Sequence, residues 1–308
     1  MLHLSQQMQQ TRGFSLRALA VTVAALLLAF GQARTACAAD SQIAVVAAEN
    51  FYGDIARQIG GDRINVVSIM SNPDQDPHLF ETTPGIVRQL ANAQIVVLNG
   101  ANYDPWMDKL LAAAPRPERT VISAAQLSGR KASDNPHLWY DPAIMPAVAT
   151  ALADAFSKVD RAHASDYAAR LKATLVSLKR IAQRVAQLKA KHSGAVVTAT
   201  EPVFGLMTEA VGLTMRNQRF QLAMMNDTEP SARDVAAFEN DLRERKVRVL
   251  IYNSQVSGKL TTRLRDIAAK AKIPVIGITE TMPANMSFQD WVLGELDILD
   301  KALSGPNS

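Results

Sequence analysis

The stretch from Asp160 to His192 reads DRAHASDYAARLKATLVSLKRIAQRVAQLKAKH and contains neither glycine nor proline. Its apolar residues recur at intervals of four and three, which is the spacing of one face of an α-helix. A helix of roughly 30 residues extends about 45 Å, farther than a small domain is wide. We therefore expect one long, rigid helix with a single apolar stripe. The stripe consists of Tyr167, Leu171, Thr174, Leu178, Ile181, Val185 and Leu188.

The stripe allows two interpretations. In a coiled-coil dimer the stripe would pack against another chain, but strand-like sequences stand on both sides of this segment and leave its ends tied to other elements. A linker that packs along two α/β lobes explains both the stripe and its flanks, and we favour it. His163 and His192 lie on the segment, and both are expected to be solvated helix residues.

Short runs rich in β-branched residues lie before and after the long helix. They are continuously apolar, as in strands that a parallel sheet buries on both faces. Strands that alternate with helices indicate α/β layers. The predicted fold class is therefore α/β, with two lobes of mainly parallel sheets joined by one long linker helix. The strand-like runs are Gln42–Ala48, Arg63–Met70, Gln94–Gly100, Ala195–Thr200, Val247–Asn253 and Pro274–Thr279. The helix-like segments are Tyr52–Ile59, Pro84–Ala91, Ile144–Ser157, Ala232–Arg245 and Leu260–Ala271.

The N-terminus has the pattern of a secretory signal peptide. Arg12 and Arg17 precede the apolar run Ala18–Phe30, and Ala36 and Ala38 form an A-x-A cleavage pattern. The run is shorter than the roughly 20 apolar residues that a membrane span requires. We expect cleavage near Ala38 and export to the periplasm.

A lipoprotein is the alternative for this segment, because Cys37 stands where a lipid-bearing cysteine could. Arg34, three residues earlier, occupies a position that is usually leucine in lipoprotein signals. A lipid anchor is therefore not expected. The domains predicted from all these patterns are a signal peptide at 1–38, an N-terminal α/β lobe at 39–158, the linker helix at 159–192 and a C-terminal α/β lobe at 193–308.

Removal of residues 1–38 changes the composition. This segment contains three arginines and no acidic residue, so the remaining chain has 30 basic and 29 acidic residues, a net charge of +1. No basic surface for nucleic acid is expected from such a balance. Cys37 is the only cysteine, so the mature chain can form no disulfide and has no thiolate chemistry.

Two histidines and two carboxylates occupy strand ends or the loops beside them. His78 and His137 each follow a proline, in the segments DPHLF and NPHLW, whereas Glu201 and Glu280 follow predicted strands. Ligands of α/β proteins bind at such strand ends. Imidazole nitrogen together with carboxylate oxygen suits a divalent ion such as Mn²⁺, Fe²⁺ or Zn²⁺. These four residues are the candidate metal ligands.

The same segments carry a family resemblance. The chain resembles the metal-ion solute-binding proteins of bacterial ABC importers, in order from about Ile43 to the C-terminus. This resemblance implies two α/β lobes joined by one long helix, with a metal ion between the lobes and ligands at His78, His137, Glu201 and Glu280. The segments that carry it are DPHLFETTPGIVRQLANAQIVVLNGANYDPWMDKLL, NPHLWYDP, TEPVFGLMTEAVGL and NDTEPSARDVAAFENDL.

The resemblance also bears on the metal. A glutamate at the third ligand position, here Glu201, resembles the members associated with manganese or iron. Residues 101–135 contain no histidine, so the histidine-rich insertion of many zinc-binding members is missing. Many relatives have a glutamate in the loop Leu250–Gln255, where this chain has Asn253 or one of its neighbours. The physiological metal therefore stays open among manganese, iron and zinc.

The function implied is high-affinity binding of one divalent transition-metal ion in the periplasm and its delivery to an ABC-type permease. The expected partners are that permease and its cytoplasmic ATPase, with no nucleic acid, and the protein is expected to be monomeric. A metal-dependent hydrolase that uses the same residues is the main alternative, and a metal-independent adhesin and a binder of an organic solute are the others. The chain has no H-E-x-x-H, no G-x-S-x-G and no phosphate loop, so no enzymatic activity is expected.

Overall fold

The computed structural model describes residues 42–71, 83–256 and 258–305. Each of its two lobes contains a four-stranded sheet whose neighbouring strands are all parallel. The strands of the N-terminal lobe are β1 (Ile43–Glu49), β2 (Ile64–Met70), β3 (Ile95–Leu98) and β4 (Thr120–Ser123). Those of the C-terminal lobe are β5 (Val196–Ala199), β6 (Thr214–Arg216), β7 (Leu250–Asn253) and β8 (Val275–Ile278). The spatial orders are β2-β1-β3-β4 and β6-β5-β7-β8.

Helices separate the strands, as parallel pairing requires, because each chain crossover must return to the starting edge. N-capping residues mark where several helices begin. Ser231 and Ser287, for example, each accept a hydrogen bond from the backbone N–H three residues later. The helices before the linker are α1 (Asn50–Gly60), α2 (Pro84–Asn92), α3 (Trp106–Ala113), α4 (Ala124–Ser128) and α5 (Ile144–Val159). The linker is α6 (Ala164–His192). The helices after it are α7 (Gly205–Val211), α8 (Gln218–Met225), α9 (Ala232–Arg243), α10 (Lys259–Lys270) and α11 (Phe288–Leu303).

The linker helix α6 packs against both lobes. It has 29 residues, or about 44 Å of helix, and lies against α1 and α5 of the N-terminal lobe and α7 and α11 of the C-terminal lobe. The predicted apolar stripe is buried, except that Leu171 is only half-buried. It belongs to one hydrophobic core that includes residues of both sheets. The α/β fold class with two lobes and one long linker helix is confirmed.

The two histidines of this segment are less solvated than expected. His192 is buried, and its Nε2 lies 2.7 Å from Asp300 Oδ1 on α11. His163 precedes α6 in a 3-10 turn and is half-buried, with its Nδ1 2.9 Å from Asp160 Oδ1. The prediction of solvated histidines was wrong, because neighbouring elements supply acidic partners that the helical pattern alone does not reveal.

Six of the eight described strands coincide with the apolar runs in the sequence, and β4 and β6 were missed. Both are short edge strands, and β6 has no buried residue. An edge strand has sheet on one side only, so it needs no continuous apolar run. The domain boundaries predicted above stay a prediction. Within the described ranges, no helix combines the length and the apolar character needed to cross a membrane.

The buried stripe of α6 leads to a stability prediction. Leu188→Ala should lower the free energy of unfolding by about 2–5 kcal/mol, because it removes buried methyl groups and leaves a cavity. Urea denaturation followed by circular dichroism measures this change. Val176→Ala is the matched control on the same helix: Val176 is 66% exposed, so its loss should change stability by no more than about 0.5 kcal/mol. Equal losses in the two variants would contradict a packing role for the stripe.

Candidate metal centre

Three polar side chains of the C-terminal lobe meet at the carboxyl ends of neighbouring strands. Glu201 follows β5 by two residues, Asn253 is the last residue of β7, and Glu280 follows β8 by two residues. These three strands are adjacent in the order β5-β7-β8. Because parallel strands all end at the same edge of a sheet, the fold brings these side chains together.

Asn253 holds the two carboxylates. Its Nδ2 donates to Glu201 Oε2 at 3.0 Å and to Glu280 Oε1 at 2.6 Å. Its Oδ1 accepts from the backbone N–H of Gln255 at 3.0 Å, which fixes the amide orientation. The side chain of Gln255 in turn accepts from the backbone N–H groups of Glu280 and Thr281. The two acidic side chains are thus kept side by side by a neutral donor.

His137 comes from the N-terminal lobe, directly before the 3-10 turn Leu138–Tyr140. Its Nδ1 lies 2.7 Å from Asn135 Oδ1, and Asn135 Nδ2 donates to the carbonyl oxygen of Pro202 at 2.8 Å. The amide oxygen can only accept a hydrogen bond, so Nδ1 of His137 carries the proton. The ring lone pair is then on Nε2, which is the form of histidine that binds metals.

Both lobes contribute to the surroundings of Glu280. Nε2 of His137 lies 3.9 Å from Glu280 Oε2, and Tyr103 Oη donates to the same oxygen at 3.2 Å. Burial, and next the charge of Glu280, raise the pKa of Tyr103 well above its ordinary value, so the phenol stays a donor. The exposed fractions are 1% for His137, 2% for Glu280 and 8% for Glu201. The site is therefore enclosed and lies between the lobes.

A second pair of acids lies near Tyr103, in the N-terminal lobe. Asp104 accepts from the backbone N–H groups of Asn99 and Gly100, each at 2.7 Å, yet burial raises its pKa to about 6. Glu49 ends β1 and is fully buried, and burial, followed by the charge of Asp104, raises its pKa well above the ordinary value. Burial thus disfavours the charged form of Glu49 beside the candidate ligands.

A cluster of aromatic side chains packs beside the site. The rings of Phe51 and Trp139 have centroids 4.7 Å apart, and those of Phe51 and Trp291 are 5.9 Å apart, so the cluster crosses from one lobe to the other. Tyr103 and Trp139 meet edge to face at 4.8 Å. Such packing excludes water and strengthens electrostatic interactions at the carboxylates.

The structure places three of the four sequence-predicted ligands in this region: His137, Glu201 and Glu280. His78 lies outside the described residues. In the described part of the chain, no group of three or more His, Cys, Asp or Glu side chains is gathered closely enough to hold a metal ion. The amide of Asn253 connects Glu201 and Glu280 by donating a hydrogen bond to each.

Sequence reasoning did not select Tyr103, Asp104 or Glu49. Glu49 ends a strand, so the rule that identified Glu201 and Glu280 could have found it. Tyr103 and Asp104 follow β3 after several loop residues, and only the folded loop brings them to the site.

The sequence was compared with known proteins. The family model described as "Zinc-uptake complex component A periplasmic" matches residues 45–302. The zinc-binding protein TroA of Treponema pallidum (strain Nichols) is 25% identical over 251 residues, which cover 78% of this chain and 80% of TroA. The manganese-binding lipoprotein MntA of Bacillus subtilis (strain 168) is 24% identical over 231 residues, covering 72% and 74% of the two chains.

The fold is similar to solved structures as well. The structure of the periplasmic zinc-binding protein TroA from Treponema pallidum superposes with a TM-score of 0.73 at 20% identity, covering 86% of this chain and all of that chain. At this identity the likeness supports the fold alone. The match of the family model over most of the chain carries the assignment. The protein belongs to the family of periplasmic zinc-uptake complex component A.

Proposed function

We propose that the protein binds one divalent transition-metal ion outside the cytoplasmic membrane and delivers it to an ABC-type permease. The observation that carries the proposal is the convergence of His137 from one lobe with Glu201 and Glu280 from the other. Carboxylate oxygen and imidazole nitrogen are donors suited to Mn²⁺, Fe²⁺ or Zn²⁺, and these side chains would have to move closer together to coordinate one ion. One relative is named for zinc and another for manganese.

The proposed ligands are His78, His137, Glu201 and Glu280, with the metal ion as cargo. The amide of Asn253 now satisfies one oxygen of each glutamate. Two neighbouring carboxylates attract a cation. An arriving metal ion can therefore replace the Asn253 amide as their partner. Asn253 thus donates to both carboxylates before the ion arrives, which lowers the cost of burying them side by side.

The hydrolase alternative has less support. A catalytic metal site needs an open position for water, whereas four protein ligands in an enclosed site leave little room for one. The family is a substrate-binding component of transport systems. We therefore propose binding and release without turnover, by a monomer whose partners are the permease and its ATPase.

The first prediction concerns the ligands. His137→Ala should weaken Mn²⁺ or Zn²⁺ binding by more than about 100-fold, since losing a direct ligand should cost more than the 10- to 100-fold of an outer-shell change. Isothermal titration of the metal-free protein measures the affinity. The increase in melting temperature on metal addition should shrink in parallel, because a ligand stabilises only the state that binds it.

His163→Ala is the matched control, since it removes a histidine whose neighbours are Asp160 and Arg63 on the far side of the fold from the strand ends. It should bind metal like the wild type. A His78→Ala, His137→Ala double variant that still binds one equivalent at unchanged affinity would refute the ligand assignment.

The second prediction concerns transport. A deletion strain should grow poorly when manganese, iron or zinc is scarce, and it should recover when the transported metal is added. A strain carrying His137→Ala should behave like the deletion. Growth that is indifferent to all three metals would count against transport, as would hydrolysis of ester, peptide or phosphate substrates that disappears with Glu201→Gln.

The third prediction concerns export. We expect a mature chain that begins at Ala39 and carries no lipid, because Arg34 is atypical of a lipoprotein signal. Mass spectrometry of the protein from the native cell decides this. A mature chain that instead begins with a lipid-modified Cys37 would show an anchored form, which the name of the MntA relative also describes.

A further inference from the structure

Glu295 is a buried acid of α11 that the proposed metal site does not use. It is 6% exposed, and its Oε1 accepts from the backbone N–H of Thr279 at 3.1 Å and from Trp291 Nε1 at 3.0 Å. Its other oxygen, Oε2, lies 2.6 Å from Tyr140 Oη. Tyr140 belongs to the N-terminal lobe and Thr279 to the C-terminal lobe, so this one side chain links the two.

The hydroxyl of Tyr140 has two oxygen neighbours and only one hydrogen. Its Oη lies 2.6 Å from the carbonyl oxygen of Thr279 and 2.6 Å from Glu295 Oε2. Oxygen atoms this close require a hydrogen between them. The carbonyl has none to give, so the second hydrogen must come from the Glu295 carboxyl group. Oε2–H then donates to Tyr140 Oη, and Tyr140 donates to Thr279.

The protonation agrees with the surroundings. Burial raises the pKa of Glu295 to about 7, although the hydrogen bonds that it accepts from Thr279 and Trp291 offset part of this effect. The nearest charged groups on the packed elements have other partners. On α11 itself, Asp297 and Asp300 pair with Arg184, Lys191 and His192 of α6. On α1, Asp54 accepts a hydrogen bond from the backbone N–H of Phe288. Glu280, which follows β8, accepts a hydrogen bond from Asn253.

The two partners of Glu295 adjoin the candidate ligands. Tyr140 ends the 3-10 turn that begins after His137, and its backbone N–H donates to the carbonyl oxygen of His137 at 3.2 Å. Thr279 directly precedes Glu280 in the chain. A link between Tyr140 and Thr279 therefore restrains the backbone beside one ligand of each lobe.

We propose that Glu295 is a positioning residue which, as a neutral carboxylic acid, joins Tyr140 to Thr279 and so sets the separation of His137 and Glu280. Its effect on metal affinity rests on the proposed function, whereas the protonated link itself can be tested without metal. The residue binds no metal ion in this role. It acts through the two segments that carry the ligands.

The metal-free test asks whether Glu295 is protonated. The infrared spectrum of the wild type near pH 6 should contain a band of a buried protonated carboxyl group that is absent from Glu295→Gln. The raised pKa also predicts a pH effect: the contribution of Glu295 to stability is complete below about pH 4.5 and is lost as the pH rises through about 7. The wild type should therefore lose stability relative to Glu295→Gln over this range. Identical spectra together with a constant difference in stability would overturn the proposal.

The metal-binding test uses Mn²⁺ and Zn²⁺ as probes. Glu295→Met keeps the length of the side chain but cannot bridge Tyr140 and Thr279, so the affinity should fall by about 10- to 100-fold, as for other outer-shell changes. Glu295→Gln can donate through its NH₂ group and accept through its oxygen, and it should bind like the wild type. Tyr140→Phe keeps the ring and removes the hydroxyl, and it should match Glu295→Met.

Leu299→Ala is the matched control, because Leu299 is fully buried one turn further along α11 and its apolar side chain has no hydrogen-bonding group. It should lower stability but leave the affinity of the folded protein unchanged. Wild-type affinity in both Glu295→Met and Tyr140→Phe would overturn the positioning role while leaving the proposed function intact. A wild type that binds none of Mn²⁺, Zn²⁺ and Fe²⁺ would refute the proposed function, and the metal-free test would still decide the state of Glu295.

Discussion

The apolar face of α6 packs against helices of both lobes, and the remaining structure depends on this contact. The helix begins beside the N-terminal lobe and ends beside the C-terminal lobe, with its buried side chains in one core shared by both. Any large rotation of one lobe would separate close-packed side chains, and protein interiors tolerate little loss of packing. The lobes are therefore held at a nearly fixed spacing, and their strand ends face each other across a narrow interval.

Within that interval, the lobes are joined mainly by hydrogen bonds between neutral groups. Asn50 exchanges two hydrogen bonds with the backbone of Met282, and the side chains of Gln58 and Gln289 pair with each other. Neutral pairs keep their strength as salt changes, unlike ion pairs on the surface. Glu201 and Glu280 instead place two carboxylates side by side, where a cation would be attracted.

Asn253 and Glu295 perform related tasks at different distances from the candidate site. Asn253 contacts the two carboxylates directly and comes from the middle strand of the three that end there. Glu295 acts one layer further out, where it links the segments that precede Glu280 and follow His137. Side chains that only orient ligands commonly decide metal affinity, because a ligand that is held in place loses less entropy on binding. The identity of the metal would then depend on these neighbours as much as on the ligands.

The sequence by itself determined the α/β class, the two lobes, the linker helix and the family, since each follows from local periodicity or from motifs in chain order. The sequence also selected His137, Glu201 and Glu280 as candidate ligands, because they lie at or beside strand ends. Their role as ligands stays a prediction, as does that of His78. Only the tertiary structure decided which strands are neighbours, and therefore that Asn253 lies between the two glutamates. It also decided that His192 is buried against Asp300 and that Glu295 meets Tyr140. These pairs are more than 100 residues apart in the chain, so no local pattern records them, and folding alone makes them neighbours.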